Sequence, residues 1–543
     1  MKLTKISLQD KSAWESAHVV LPKFDLDKMC RETAEKPIWV HFGSGNIFRG
    51  FIARLQQQLL NEGFSQSGII AADTFDGEII DRIYKPHDNL SLYVSLKPDG
   101  TSEREVVASV AQAVNATASN PEGMAYLTSV FENPALQLVS FTITEKGYAL
   151  ADLQGEYFPT VKSDIANGPE NAKHAMSITA KLLLARYQAG AAPIAVVSMD
   201  NCSHNGEKLR SSVLAVATAW CENGFADSGF ISYLNDESRV TFPWSMIDKI
   251  TPRPSAEIEK SLFEAGIEET APIVTDKKTF IAPFVNAEVP QYLVIEDRFP
   301  NGRPPLEKAG VLFTDRETVN KAERMKVTAC LNPLHTALAV FGCLLGYKSI
   351  AAEMKDGELK KLVLQIGYRE GMPVCVNPGI INPSDFIREV IEQRLPNPFI
   401  PDIPQRIATD TSQKIPIRFG ETIKSYIARD DLDVNSLTFI PLTIAGWLRY
   451  LLGTDDQGKT MEVSSDPMLA ELRAKLTGIE VGKPESYAGQ LKPILSNTVL
   501  FAADLAKTAL SSKIEAMFVE MLGGPGTVRA VLKKYLDKYS TAE

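Results

Sequence analysis

The chain has 543 residues, 44% of them hydrophobic and 23% charged, with a formal net charge of −10. That length exceeds one ordinary core and predicts at least two domains of a soluble globular protein. No basic excess exists to neutralise a phosphate backbone, which excludes a general nucleic-acid binder while leaving room for a local pocket for a small anion.

Six cysteines, at positions 30, 202, 221, 330, 343 and 375, are scattered without CxxC pairs. They predict free thiols in a reducing compartment. The first residues lack the apolar run of a signal peptide, and the longest apolar run, around 337–345, is shorter than the roughly 20 residues that span a bilayer. A cytoplasmic protein without a membrane partner is expected.

Residues 1–36 are polar and mixed and read as a leader that packs late. Ile38-Trp39-Val40-His41-Phe42 is a short strand ending in Gly43-Ser44-Gly45-Asn46-Ile47-Phe48-Arg49-Gly50. A helical pattern follows, then a second strand, 67–73, ending in Asp73. Strand, glycine turn, helix and a strand ending in an acid is the dinucleotide-binding arrangement. The glycines let backbone N–H groups approach a pyrophosphate at a helix start. A carboxylate after the second strand suits a ribose diol and repels a 2′-phosphate, which favours NAD over NADP. Asp73 is the first choice for that carboxylate and Asp76 the competitor; both also suit capping of a helix over 77–84. The third glycine of the full fingerprint is missing, because Phe48 stands in its place.

Further strands are predicted at 91–96, 105–110, 136–143 and 193–199. The third runs into Thr144-Glu145-Lys146-Gly147-Tyr148, and the fourth into Asp200-Asn201-Cys202-Ser203-His204-Asn205-Gly206. In open α/β sheets ligands sit beyond the carboxyl ends of strands, so these polar ends are site candidates. Short strand-like runs recur at 283–285, 292–295 and 311–313. From about residue 318 the pattern turns to long helices: 318–348, 356–369, 383–394, 416–428, 438–453, 467–476, 486–509 and 511–538. The fold class expected is α/β plus all-α, with a Rossmann-like NAD-binding domain over 1–317, including the N-terminal extension, and a helical substrate-binding domain over 318–543. The active site is expected where the two join.

The segment Glu323-Arg324-Met325-Lys326-Val327-Thr328-Ala329-Cys330-Leu331-Asn332-Pro333-Leu334-His335 places an amine, an amide and an imidazole within ten residues. An apolar run follows over 336–345. A helix pinned in a core by its apolar half can hold polar groups rigidly on the other, as proton transfer requires.

Four stretches in this order resemble the polyol-specific long-chain dehydrogenases, the family of mannitol 2-dehydrogenase, fructuronate reductase and tagaturonate reductase: 41–49, 198–206, 242–252 and 323–335. Residues 144–148, 294–297 and 418–419 add to the match. The resemblance implies a metal-independent, NAD(P)-dependent interconversion of a secondary alcohol and a ketone on an open-chain sugar derivative. It implies Lys326 as general acid/base, Asn201 and Asn332 as holders of the reacting oxygen, His335 as orienting group and Glu323 as the relay to solvent. Asp248 and Arg418 would contact the substrate, with Asp200 and Lys249 beside them. The glycine turn (Gly43, Gly45, Asn46, Ile47, Phe48, Arg49), Asp73 or Asp76, and Glu145 would line the cofactor site.

Two departures from the family pattern stand out. Lys326 lies six residues before Asn332 and nine before His335, where the family has five and eight. At about 100° per residue, a regular helix would put Lys326 and His335 on opposite faces. Pro333 cannot donate to the Ala329 carbonyl, so the helix is already irregular there. A π-type bulge between Lys326 and Asn332 is therefore expected; without it, Lys321 is the next candidate base. Lys249 is the second departure, since the family usually has Arg there. A uronate carboxylate would need basic partners, and Lys249, Arg418 and Lys424 are the available ones. Fructuronate reduction to mannonate is the reading preferred over mannitol oxidation or tagaturonate reduction. A non-catalytic sugar- or nucleotide-binding protein on the same fold is the rival from another class. Oligomeric state is left open.

Overall fold

Four of the expected apolar runs become strands of one six-stranded sheet, β1 (Trp39–Phe42), β2 (Ile69–Asp73), β4 (Leu138–Phe141) and β5 (Ile194–Ser198), and two unexpected strands complete it, β3 (Val110–Asn115) and β6 (Val240–Thr241). They form one sheet in the order β3-β2-β1-β4-β5-β6, with every pair parallel. This is the Rossmann order, and its direction reverses between β1 and β4. The computed structural model describes residues 1–152 and 154–538. It divides into two units, Met1–Leu96 with Thr101–Asn320, and Lys97–Gly100 with Lys321–Glu543.

Successive residues of a strand face opposite sides of its sheet. Val40, Phe42, Ile70, Val139, Phe141 and Val196 accordingly join one core, with the helices Pro121–Glu132, Ala175–Gln188 and Asn205–Glu222. Trp39, Ile69, Ala71, Leu138, Ala195 and Val197 join the other, with the helix Ala53–Asn61 and the strand Phe284–Glu288. Both faces are covered, which is why these strands read as continuous apolar runs.

A buried arginine holds the end of this sheet at which β4 and β5 begin. Arg186 donates to the carbonyls of Phe131 (2.6 Å), Asn133 (2.8 Å), Leu136 (2.9 Å), Ala192 (2.9 Å) and Pro193 (2.8 Å). One side chain satisfies the loop carbonyls that lead into both β4 and β5.

Residues 1–36, expected as a leader, are packed into the unit in the folded chain. Trp14 is fully buried, and Val19–Val20 pairs in parallel with Arg104–Val107. The helix Leu26–Glu35 lays Met29 and Cys30 against Leu60 and Ala111. Its apolar positions are few, so composition hides a docked element.

The second unit is helical. Its centre is the helix Asn332–Leu345, buried from Thr336 to Leu344. It packs on the helix Phe439–Tyr450, buried along its whole length, with Gly446 set against Val340 and Phe341. Buried charged groups sit at both ends of this second helix with the signs its dipole favours. Glu370 accepts from the N–H groups of Thr438 (2.5 Å), Phe439 (2.8 Å) and Ile440 (2.7 Å) at the start. Near the end, Arg449 donates to the carbonyls of Thr454 (2.7 Å) and Met521 (3.2 Å).

Three expected helices are broken. The span 318–348 is Arg316–Met325, a π-helical turn Lys326–Cys330 and Asn332–Leu345. The span 486–509 falls into short turns, Lys492–Leu495 and Thr498–Phe501, the second capped by Asn497 and followed by Ala502 at φ 54°. The span 511–538 is interrupted where Gly524 and Gly526 take φ 113° and 81°. The last two interruptions are turn chemistry that a helical apolar period does not reveal.

One buried group is destabilising at neutral pH. Glu353 is fully buried, lies over Gly342, and neither carboxylate oxygen has a hydrogen-bond partner among the described residues. Burial pushes its carboxyl up to about 9 from the ordinary 4.5. Its folded-state pKa is raised, so folding takes up a proton between those limits. The stability cost is absent below about pH 4.5 and grows as pH rises toward about 9. Glu353→Gln should raise unfolding stability by roughly 3 kcal/mol near pH 8 and by little near pH 4.5. Urea titrations at the two pH values measure the difference, and an equal effect at both would contradict it.

Candidate active site

In the first unit the site candidates gather where β1 and β4 end. β1 is stapled to β4 by His41, whose Nδ1 lies 2.7 Å from Ser140 Oγ and whose Nε2 lies 2.9 Å from Thr142 Oγ1. The ring stacks on Phe48 at 4.3 Å, and burial pushes the imidazole pKa down to about 3, so it stays neutral. Gly43 follows at φ 101°, and a Cβ there would lie 2.2 Å from the Thr142 carbonyl oxygen. Only glycine fits this crossing. At Gly45 a Cβ would meet nothing within 4 Å, so the backbone of this turn is open on that side. Helix-start N–H groups lack intrahelical acceptors, so an open glycine turn here suits an anion such as a pyrophosphate.

The neighbouring candidates are placed inward. Arg49 is buried and donates to Ala282 O (2.6 Å) and to Asn46 Oδ1 (2.8 Å). Phe48 is fully buried and Ile47 half-buried. These four hold the shape of the turn. Asp73 is 7% exposed. It accepts from Ser44 Oγ (2.7 Å) and the N–H groups of Phe75 (3.0 Å) and Asp76 (2.8 Å), and burial raises its pKa. Asp76 accepts from Thr275 Oγ1 (2.6 Å) and makes no side-chain cap for the following turn. Phe75 is 66% exposed beside them, with Lys277 Nζ 5.4 Å from its ring centre.

At the end of β4, Thr144 takes φ 65° and ψ 160°. That region is nearly confined to glycine and persists only where the surroundings impose it. Asp200, after β5, imposes it. Its carboxylate accepts from the N–H groups of Ile143 (2.8 Å) and Thr144 (2.9 Å) and from Tyr148 Oη (2.6 Å). Tyr148 Oη in turn accepts from Ser198 Oγ (2.8 Å). Asp200, expected among substrate contacts, is thus a clamp between two strand ends. Glu145 pairs with Lys208. Asn201 is exposed on the turn after Asp200. Asp248 ends the strand Ser245–Asp248 and is 7% exposed. Lys249 donates to Glu288 O (2.5 Å) and Gln291 Oε1 (3.1 Å), under the rings of Phe51 and Tyr93.

Two positioning groups escape sequence reasoning. Asn205 is buried, donates to Asp200 O (3.0 Å) and Ser245 O (3.0 Å), and accepts from Ser245 N–H (3.0 Å). It ties the Asp200 turn to the strand that ends in Asp248. The Asn-Gly pair it opens is visible as a turn, but its buried amide is not. Glu288 is fully buried and accepts from Ile250 N–H (2.7 Å).

In the second unit the expected bulge is present. The Leu331 N–H reaches back five residues to the Lys326 carbonyl at 3.1 Å, closing a π turn over Lys326–Cys330. Leu331 leaves helical geometry (φ −130°, ψ −61°), and a new helix starts at Asn332 with Pro333 in its first turn. Proline is harmless there, because a first-turn N–H has no intrahelical acceptor. Lys326 is 1% exposed; Glu323 and Lys321 are half-buried on the preceding turns. His335 Nε2 lies 3.3 Å from Asp402 Oδ2, outside hydrogen-bond alignment.

Arg418 sits on another π turn, Pro416–Gly420. Its Nη1 donates to Thr336 Oγ1 (2.6 Å) and reaches Asn332 O (3.5 Å). No hydrogen bond uses its Nε or Nη2 among the described residues. Burial lowers the guanidinium pKa to about 10, and burial next to Arg418 pushes Lys414 down to about 8. A desolvated guanidinium with unspent donors beside Asn332 is suited to a carboxylate ligand.

Both halves match one family. Residues 37–308 match the mannitol dehydrogenase Rossmann domain and 318–522 the mannitol dehydrogenase C-terminal domain. The D-mannonate oxidoreductase of Thermotoga maritima is 54% identical over 99% of both chains. The polyol:NADP oxidoreductase of Gluconobacter oxydans is 32% identical over 88% of this chain and 90% of its own. The solved mannitol 2-dehydrogenase of Pseudomonas fluorescens, in ternary complex with NAD and D-mannitol, is 25% identical with a TM-score of 0.71, over 99% of this chain and 100% of its own. With the parallel sheet, the glycine turn and the Lys326 segment all present, the chain belongs to the mannitol dehydrogenase family of oxidoreductases.

Proposed function

We propose that this enzyme interconverts D-fructuronate and D-mannonate in the cytoplasm, with NAD as its cofactor. The observation that carries the substrate class is Arg418, a half-buried, desolvated guanidinium with unspent donors beside Asn332. The 54% identical relative, a D-mannonate oxidoreductase, supports the same reading. Two domains divide the labour, residues 1–317 holding the dinucleotide and 318–543 supplying proton transfer and substrate contacts.

The cofactor supplies or accepts the hydride. In reduction, the Lys326 ammonium gives a proton to the carbonyl oxygen as that oxygen becomes an alkoxide. The carboxamides of Asn201 and Asn332 donate to the same oxygen and stabilise its developing charge without a metal. His335 orients the substrate, Glu323 exchanges the proton with solvent, and Asp248 contacts the sugar chain. Burial disfavours an ammonium, the direction a lysine acid/base near neutral pH requires. Gly45 leaves the backbone open to the pyrophosphate, on a turn whose crossing Gly43 permits. NAD is preferred over NADP because Asp73 and Asp76 crowd the end of β2 with carboxylates. Lys277 beside Phe75 is the observation on the other side, since a cation there suits a 2′-phosphate.

Lys326→Ala should lower kcat at least about 10³-fold in a spectrophotometric NADH assay while NADH still binds. Retained turnover would remove the acid/base assignment, and a sugar-binding protein would keep ligand affinity in the variant. Assays of fructuronate, tagaturonate and fructose with NADH and NADPH test substrate and cofactor; no activity on any of the three would overturn the proposal.

Arg418→Gln tests the carboxylate directly. It should lower kcat/KM for fructuronate by about 10- to 100-fold, the loss expected for a charge-assisted pair. Fructose, which lacks the carboxylate, should lose much less. An equal loss on both would assign Arg418 to the structure of the turn alone.

A further inference from the structure

Cys330 ends the π turn that begins at Lys326, and it lies against a second thiol. Its Sγ is 3.8 Å from Cys375 Sγ. Backbone packing sets this approach. Gly371 closes the π-helical segment Gln365–Gly371, and a Cβ there would lie 3.6 Å from the Ala329 carbonyl oxygen. The chain running on to Cys375 therefore passes beside the turn. Cys330 is buried, while Cys375 is only partly so. The hydrogen bond between the thiols lowers the Cys375 pKa, and that bond and burial raise the pKa of Cys330. One sulfur is a reachable nucleophile and the other is a protonated partner held against it.

We propose that Cys330 and Cys375 are a reversible dithiol–disulfide pair whose oxidation reshapes the turn that carries Lys326. The oxidant is a hydroperoxide. The Cys375 thiolate attacks one peroxide oxygen, the O–O bond breaks, and Cys375 becomes a sulfenic acid as hydroxide leaves and takes up a proton. The Cys330 sulfur then attacks the sulfenic sulfur; its proton and the sulfenic hydroxyl depart as water. Two thiols lose two electrons and two protons, and one hydrogen peroxide becomes two waters. A dithiol reductant reverses the bond by exchange.

Closing from 3.8 Å to about 2.05 Å draws the sulfurs together by roughly 1.8 Å. Cys330 cannot absorb that freely, because the turn is closed by the adjacent Leu331 N–H on the Lys326 carbonyl. The displacement is passed along the turn to Lys326, and a misplacement of about 1 Å at a reacting group can cost 10²-fold. The effect on turnover rests on the reading of Lys326 as acid/base; the cross-link does not.

The test treats the full-length enzyme with hydrogen peroxide, caps free thiols with iodoacetamide and maps the peptides by mass spectrometry beside NADH-coupled turnover. A cross-linked Cys330–Cys375 peptide should form as turnover falls roughly tenfold or more, and dithiothreitol should reverse both. Cys375→Ser should turn over normally and keep its activity in peroxide. Recovery of both cysteines as capped thiols after oxidation would overturn the pair. A cross-link that leaves turnover unchanged would overturn its effect on the turn. Normal turnover by Lys326→Ala would instead overturn the reading of Lys326, with the cross-link still judged by mass alone.

Discussion

The first unit is built around a contact too close for any side chain. β1 and β4 are neighbours at the point where the strand order reverses, and the chain leaves both there. Gly43 crosses the Thr142 carbonyl at a separation that a Cβ would reduce to 2.2 Å. The crossing is pinned from beneath by His41, which bonds Ser140 and Thr142 as a neutral ring. It is pinned from above by Tyr84, whose Oη donates to Ser44 O at 2.9 Å. With the turn fixed this tightly, a third glycine becomes unnecessary. That glycine normally lets helix and strand approach closely. Here Phe48 fills the gap by stacking on His41, and the next turn of the chain widens to π geometry over Phe48–Ile52.

The same device appears at Lys326. A turn with one added residue keeps its backbone bonded by reaching back five residues, and it rotates the helix after it relative to the helix before it. The helix then restarts at Asn332, so Pro333 falls where its missing N–H costs nothing. One added residue and one proline, each awkward in a continuous helix, are compatible once the helix is divided between them.

The legibility of each element depends on the physical signal it leaves in the chain. Four of the six strands, β1, β2, β4 and β5, are readable because burial on both faces leaves continuous apolar runs, while β3 and the two-residue β6 leave no such run; the bulge is readable because helical geometry conflicts with the family spacing. The 1–36 segment reads wrongly as a leader because docking by a few residues such as Trp14 and Met29 leaves no periodic trace. The helices expected over 486–509 and 511–538 fail at Asn497 and at Gly524 and Gly526, where local turn chemistry outweighs an apolar period. At the site, the sequence locates polar groups correctly at strand ends and cannot say which are already engaged. Asp200 is committed to Ile143, Thr144 and Tyr148, and Lys249 to Glu288 and Gln291. Position in the chain does not encode that commitment; partners brought from dozens of residues away do.

Commitment also separates the desolvated cations from one another. Arg186 spends its donors on five carbonyls, and Arg449, in the last turn of a core helix, spends its own on the carbonyls of Thr454 and Met521. Both are desolvated, and both offset that cost by satisfying backbone groups that would otherwise be orphaned. Arg418 is desolvated as well, yet among the described residues its bonds run only from Nη1, to a hydroxyl and a distant carbonyl. Lys414, a second cation next to it, makes its burial costlier still. A partly desolvated charge that the fold barely uses to close its own hydrogen bonds is stabilised when a ligand arrives, and a carboxylate is the ligand whose geometry matches its free edge.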